Sequence, residues 1–198
     1  MFIELTDILR CPEPHAEQFL VLLPEEMSGR SVRSGHLGCP VCQREYRIDD
    51  GAVLLNSAPP PTPDSTPLDP LVDATAIAAF LGMAGPGGYV AVAGNVPGLD
   101  GGLASALPGI HLAAINPPPG TPELPMMSVL RSPVIPIKSR SVRGVVLGSR
   151  LGTDPFWVSE AVRVLLPGLR VVGEGTAPAR EDVNVLASAG GWWVAVKR

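Results

Sequence analysis

Beyond residue 71 the hydrophobic pattern switches repeatedly between two periods. "LVDATAIAAFLGMAG" carries apolar residues at helical spacing and predicts a helix ending at Gly85. "GGYVAVAG" is a short, uninterrupted apolar run bounded by glycine and predicts a buried strand. The same helix-then-strand alternation continues through "GLASAL" and "IHLAAIN", "SPVIPIK" and "VRGVVLG", "FWVSEAVRVLL" and "LRVVGEG", then "EDVNVLAS" and "GWWVAVKR", with Pro-Gly turns closing two of the helices. Helix and strand taking turns, with strands apolar on both faces, predicts an α/β fold built on a shortened, doubly wound sheet rather than a bundle or a sandwich.

The stretch "NSAPPPTPDSTPLDP" interrupts this pattern. Proline is dense there and removes backbone donors, so neither a helix nor a sheet interior continues through it. The expected organisation is a small module at 1–56, a proline-rich linker at 57–70 and an α/β domain at 71–198. The 198 residues, 45% hydrophobic and 17% charged, are enough for a small module and a modest second core.

A formal net charge of -4 argues against the broad attraction that non-specific nucleic-acid binding needs. Apolar stretches such as Val90 to Ala93 or Val162 to Leu166 fall far short of a membrane span, and no charged segment precedes an apolar run near Met1. The expectation is a cytoplasmic protein with neither membrane nor nucleic acid as partner. The cysteines number three, an odd count at metal-like spacing, which fits a reducing compartment better than a disulfide framework.

Cys39-Pro40-Val41-Cys42 is a half-site for a tetrahedral ion: a CxxC turn aims two thiolates at one point while backbone amides stabilise their charge. Cys11 supplies a third thiolate. Where a second CxxC would have its sulfur stands Pro14, so the fourth ligand falls to His15, one residue beyond and with a longer reach, or to His36, three residues before Cys39. The competing readings are a site that has lost its metal and a redox pair, although no thioredoxin-like strand and helix flank this CxxC. With Cys11, His15, Cys39 and Cys42 around it, zinc would be structural, since four protein ligands leave no position open for substrate.

Around these residues "LTDILRCP", the strand-like "FLVLL" and "LGCPVCQREYRIDDGAVLLN" resemble the small zinc-ribbon family whose eukaryotic and archaeal members activate tRNA, rRNA and release-factor methyltransferases. The resemblance covers about the first quarter of the chain. Downstream, "EAVRVLLPGLRVVGEG" and "SPVIPIKSRSVRGVVLGS" resemble segments of class I S-adenosylmethionine-dependent methyltransferases. That resemblance makes "GGYVAVAGNVPG" the first strand and its loop and "LPGIHLAAINPP" the second strand, and implies a Rossmann-like methyltransferase sheet. It places Gly94, Gly98 and Asn116 around the cofactor S-adenosylmethionine.

The chemistry at those positions is thin. A bulky Val96-Pro97 pair interrupts the glycine turn, and a neutral asparagine stands where a carboxylate would bind ribose hydroxyls. "INPPPG" follows the second strand and reads as a rigid loop. Lys138, Arg140, Arg143 and Arg150 read as a solvated basic face, and His111 as a satisfied buried histidine. Glu174 is the best-placed acid, yet no acid/base or nucleophilic partner stands beside it. Trp192 and Trp193 point to opposite faces of a strand, one into the core and the other either covered by a helix or exposed at an interface.

The expected function is therefore non-catalytic. A zinc-ribbon/methyltransferase-like chain would act through contacts with a protein partner or a second copy of itself, as a methyltransferase partner or activator. The alternative is an S-adenosylmethionine-dependent methyltransferase acting on a small molecule or RNA.

Overall fold

The computed structural model describes residues 1–55 and 72–198. The expected linker lies outside the described residues. After a 3-10 helix at Ile3–Asp7 come four short strands, β1 (Val21–Ser28), β2 (Ser31–Gly38), β3 (Glu45–Asp49) and β4 (Ala52–Leu54). The remainder runs α1 (Ala74–Leu81), β5 (Tyr89–Ala93), α2 (Gly102–Ala106), β6 (His111–Ile115), β7 (Met127–Arg131), β8 (Val142–Leu147), α3 (Pro155–Val164), β9 (Leu165–Glu174), β10 (Val183–Ala189) and β11 (Trp192–Lys197).

All eleven strands belong to one mixed sheet in the order β1-β2-β3-β4-β7-β6-β5-β8-β9-β11-β10. The central strands from β4 to β9 are parallel, and antiparallel hairpins extend both ends. The N-terminal strands join the rest where β4 pairs with β7, Val53 opposite Leu130.

Local sequence explains the elements it was able to predict. Asp73 caps α1 by accepting from the Ala76 amide at 2.8 Å, and the helix stops at Gly82 in the left-handed conformation (φ 58°), one turn short of the predicted Gly85. Asp154 caps α3 with Pro155 as its first residue. The central strands are buried on both faces, β5 and β6 almost completely, as their unbroken apolar runs require.

Three predictions fail. "EDVNVLAS" is strand β10, not a helix: Gly190 and Gly191, both at positive φ (59° and 74°), make the two-residue turn of a hairpin that pairs it with β11. "SPVIPIK" is irregular, because Pro133 and Pro136 deny it helical hydrogen bonds, and it meets the N-terminal segment through a Leu9–Ile137 bridge. The Pro167-Gly168 pair does not separate α3 from its strand; it lies inside β9, which begins where α3 ends.

Two cores flank the sheet. One holds α1 and α2 against Val90, Val92, Leu112 and Val146. The other holds α3 against Ala91, Ala113 and Val145, and is continuous with Leu5, Leu9, Leu37 and Ile48 of the N-terminal part. The connections at 116–126 and 132–141 carry no helix, so the N-terminal segment covers sheet surface that a crossover helix would otherwise bury. Trp192 and Trp193 are both buried, one in each core. Among the described residues no helix is long and apolar enough to cross a membrane.

A candidate metal centre and the carboxyl edge of the sheet

Cys11, His15, Cys39 and Cys42 converge, with one ligand atom from each lying within 4.8 Å of all the others. The turn after β2 sets the CxxC pair: Gln43 donates its amide to the Cys39 carbonyl at 3.0 Å and takes a left-handed φ of 59°. The Cys11 amide donates to the Gln18 carbonyl at 3.0 Å, which closes the loop that carries His15.

Two of the spacings match a tetrahedral ion. Bonds of about 2.3 Å to sulfur and about 2.05 Å to nitrogen place ligand atoms about 3.8 Å (S to S) and about 3.5 Å (S to N) apart. Cys11 Sγ lies 3.7 Å from Cys42 Sγ, and Cys39 Sγ lies 3.5 Å from His15 Nε2. The residues present therefore fit zinc.

The surroundings prepare the ligands. Burial pushes the Cys39 thiol up, but the backbone amides of Cys42 and Val41 and the neighbouring thiols outweigh it and hold it at about 7. Burial pushes Cys11 up to about 11, against the Tyr46 hydroxyl 3.2 Å away. Burial and Cys11 also raise the Tyr46 hydroxyl, so it stays protonated and can donate to a Cys11 thiolate. His15 donates from Nδ1 to the Ala16 carbonyl at 2.8 Å, which leaves the Nε2 lone pair facing the cysteines; that bond is the main cause raising its pKa. His36 is elsewhere, its Nδ1 3.3 Å from Glu25 across the β1–β2 ladder.

The second set of predicted residues lies at the carboxyl end of the parallel strands. The sheet reverses direction of growth between β5 and β8, and in an open α/β sheet the crevice at such a reversal is where ligands bind. Here the loops after these two strands touch. A Cβ on Gly148 would stand 1.9 Å from the Asn95 carbonyl oxygen, and the Asn95 amide donates to Ser149 Oγ at 2.8 Å. Gly94 (φ 76°) packs on Ser149, and Gly98 (φ 83°) packs on Ala74 of α1, where a Cβ would approach to 2.5 Å.

Asn116, buried at the end of β6, spends its amide on one residue: Nδ2 donates to the Ser132 carbonyl at 2.6 Å and Oδ1 accepts from the Ser132 amide at 2.9 Å. Gly94 and Gly98 thus stand at close approaches of the chain, and Asn116 ties the β6 end to the β7 end. Glu174 accepts from the Arg150 amide at 3.0 Å. His111 Nε2 lies 2.9 Å from Ser128 Oγ, while its Nδ1 has no partner among the described residues.

No protein-family model and no curated protein matches the chain. Its fold is similar to that of a Methanococcus maripaludis protein described as a "putative s-adenosyl-l-methionine-dependent methyltransferase", with 13% identity, a TM-score of 0.46, and coverage of 63% of this chain and 83% of that one. It is also similar to the antibiotic-resistance methyltransferase Kmr, with 11% identity, a TM-score of 0.40, and coverage of 64% and 93%.

Proposed function

We propose that this chain is a non-catalytic, metal-stabilised, methyltransferase-like protein acting through protein contacts, with its ribbon-like module docked on its own α/β sheet. The observation that carries the non-catalytic part is the close backbone approach of Gly148 to Asn95 at the reversal of strand order, where an open sheet would take its ligand. The Asn116 amide, already paired in both directions, adds to it. Zinc held by Cys11, His15, Cys39 and Cys42 supplies a structural cross-link only, because these ligands complete a tetrahedron.

The docked module rests on the β4–β7 pairing and on a core shared by Leu9, Ile48, Ile137 and Val158. A domain-completing role in cis follows, and a partner in trans would add to that assembly.

The second reading is a methyltransferase. It is favoured by the strand order β7-β6-β5-β8-β9-β11-β10 with β11 reversed, which resembles the class I methyltransferase sheet. Calorimetric titration of metal-replete protein with S-adenosylmethionine separates the two. Absence of binding is the expected result; one-to-one binding at micromolar strength would overturn the non-catalytic reading and promote the second.

A further inference from the structure

The basic residues that stand together in sequence are dispersed by the fold. Lys138 donates to the Asp7 carbonyl at 2.9 Å, and Arg143 is wrapped by the carbonyls of residues 84–87. Arg150 sits past the carboxyl end of β8. Arg140 instead joins Arg163, Arg180 and Lys197 around an open groove of about 510 Å³ that also includes Ser159 and Asp182.

Two of these cations are balanced. Arg180 makes a two-pronged bond to Asp182, at 2.8 and 2.7 Å, and Arg163 is held by Glu160, by Glu17 at 3.4 Å and by the Ile135 and Ile137 carbonyls; Glu17 also accepts from Ser139 at the groove's edge. The other two are not. Among the described residues the Arg140 guanidinium has no carboxylate partner, and the half-buried Lys197 ammonium donates to a carbonyl, that of Leu165, at 2.7 Å. Burial, then the charge of Arg140, hold Lys197 below the usual lysine range, with Asp182 opposing and Arg163 adding to the effect.

The backbone holds this crowding in place. Arg140 has a left-handed φ of 54°, an unfavourable conformation for a residue with a side chain, and is pinned there by its amide bond to the Arg163 carbonyl at 3.0 Å. That bond and the one from Ser141 to Val164, at 2.8 Å, cover the last carbonyls of α3, which would otherwise repel an anion.

The groove lies at the amino ends of β8 and β9, the opposite edge of the sheet from Gly94 and Asn116. We propose that it is an anion site for a phosphate or pyrophosphate group, free or carried on a small molecule, with Arg140 and Lys197 supplying the charge. A doubly charged oxyanion matches two uncompensated cations, whereas a carboxylate neutralises only one.

The test is calorimetric titration of the full, metal-replete chain at low ionic strength with inorganic phosphate, pyrophosphate and adenosine diphosphate. Tighter binding of the inorganic anions assigns the site to the free ion, and tighter binding of the nucleotide to an esterified group. Arg140→Gly deletes the charge while suiting the left-handed backbone, and is expected to weaken binding about tenfold or more without lowering the thermal midpoint. Lys197→Gln is expected to do the same. Arg150→Gly is the matched control, since it removes the same charge from another left-handed position (φ 60°) at the far edge, and is expected to leave affinity unchanged. No binding by the unmodified protein, or equal losses in Arg140→Gly and Arg150→Gly, would overturn the proposal.

Discussion

Glu160 of α3 accepts a hydrogen bond from Arg10 at 3.2 Å, and Arg10 directly precedes the metal-site residue Cys11. The same carboxylate is held by Arg163 at 2.7 and 2.9 Å and by the Ile135 amide at 3.2 Å, so one side chain ties the N-terminal part, α3 and the 132–141 connection together. Burial pushes this carboxyl up, but the bonds and charges of Arg163 and Arg10 prevail and hold it below the usual range.

A carboxyl with a depressed folded pKa contributes stability that is complete above its unfolded value, about 4.3, and is lost as pH falls through the folded value. Glu160→Gln is expected to cost on the order of 3 kcal/mol at neutral pH, because it leaves Arg10 and Arg163 without their shared anion. In urea denaturation the gap between the two proteins should be widest at pH 7 and narrow below about pH 4. A gap that does not change with pH would show that charge is not its source.

Metal content distinguishes the two histidines. His15→Ala removes a ligand atom from the cluster and is expected to weaken zinc binding more than tenfold in a chelator competition. His36→Ala loses only an exposed pairing with Glu25 and should bind zinc as the unmodified protein does. Loss of metal in the second variant alone would move the site.

Chelation is expected to reach beyond the metal site. Cys11 and Cys39 share a core with Trp193, so removal of zinc should lower the midpoint of a single thermal transition followed at once by tryptophan fluorescence and far-ultraviolet circular dichroism. A fluorescence transition indifferent to chelator would mean that the two parts fold independently.

Gly148→Ala drives a methyl group into the Asn95 carbonyl. The loops after β5 and β8 must part to admit it, at an expected cost of about 1–3 kcal/mol in denaturant unfolding. Unchanged stability would show that the two loops part freely and would weaken the non-catalytic reading.

The sequence by itself determined the elements whose conformation is settled within a few residues. β5, β6, β8 and β11 are apolar runs bounded by turn residues, α1 and α3 carry aspartate caps, and the CxxC turn announces a ligand pair wherever it is placed. Where local signals compete, the reading fails. "EDVNVLAS" has helical composition, and the neighbouring β11 makes it a strand; "MSVLR" is too short to announce β7, which exists because β4 and β6 pair on either side of it.

The tertiary structure alone decided the rest. It joined the two parts into one sheet, chose His15 over His36 as the histidine beside the cysteines, brought the backbones of Gly148 and Asn95 together, and gathered Arg140 and Lys197 from different strands' ends. These relations connect residues far apart in sequence. They depend on how sheet pairing and core packing bring backbones together, and no periodicity or spacing along the chain encodes that approach.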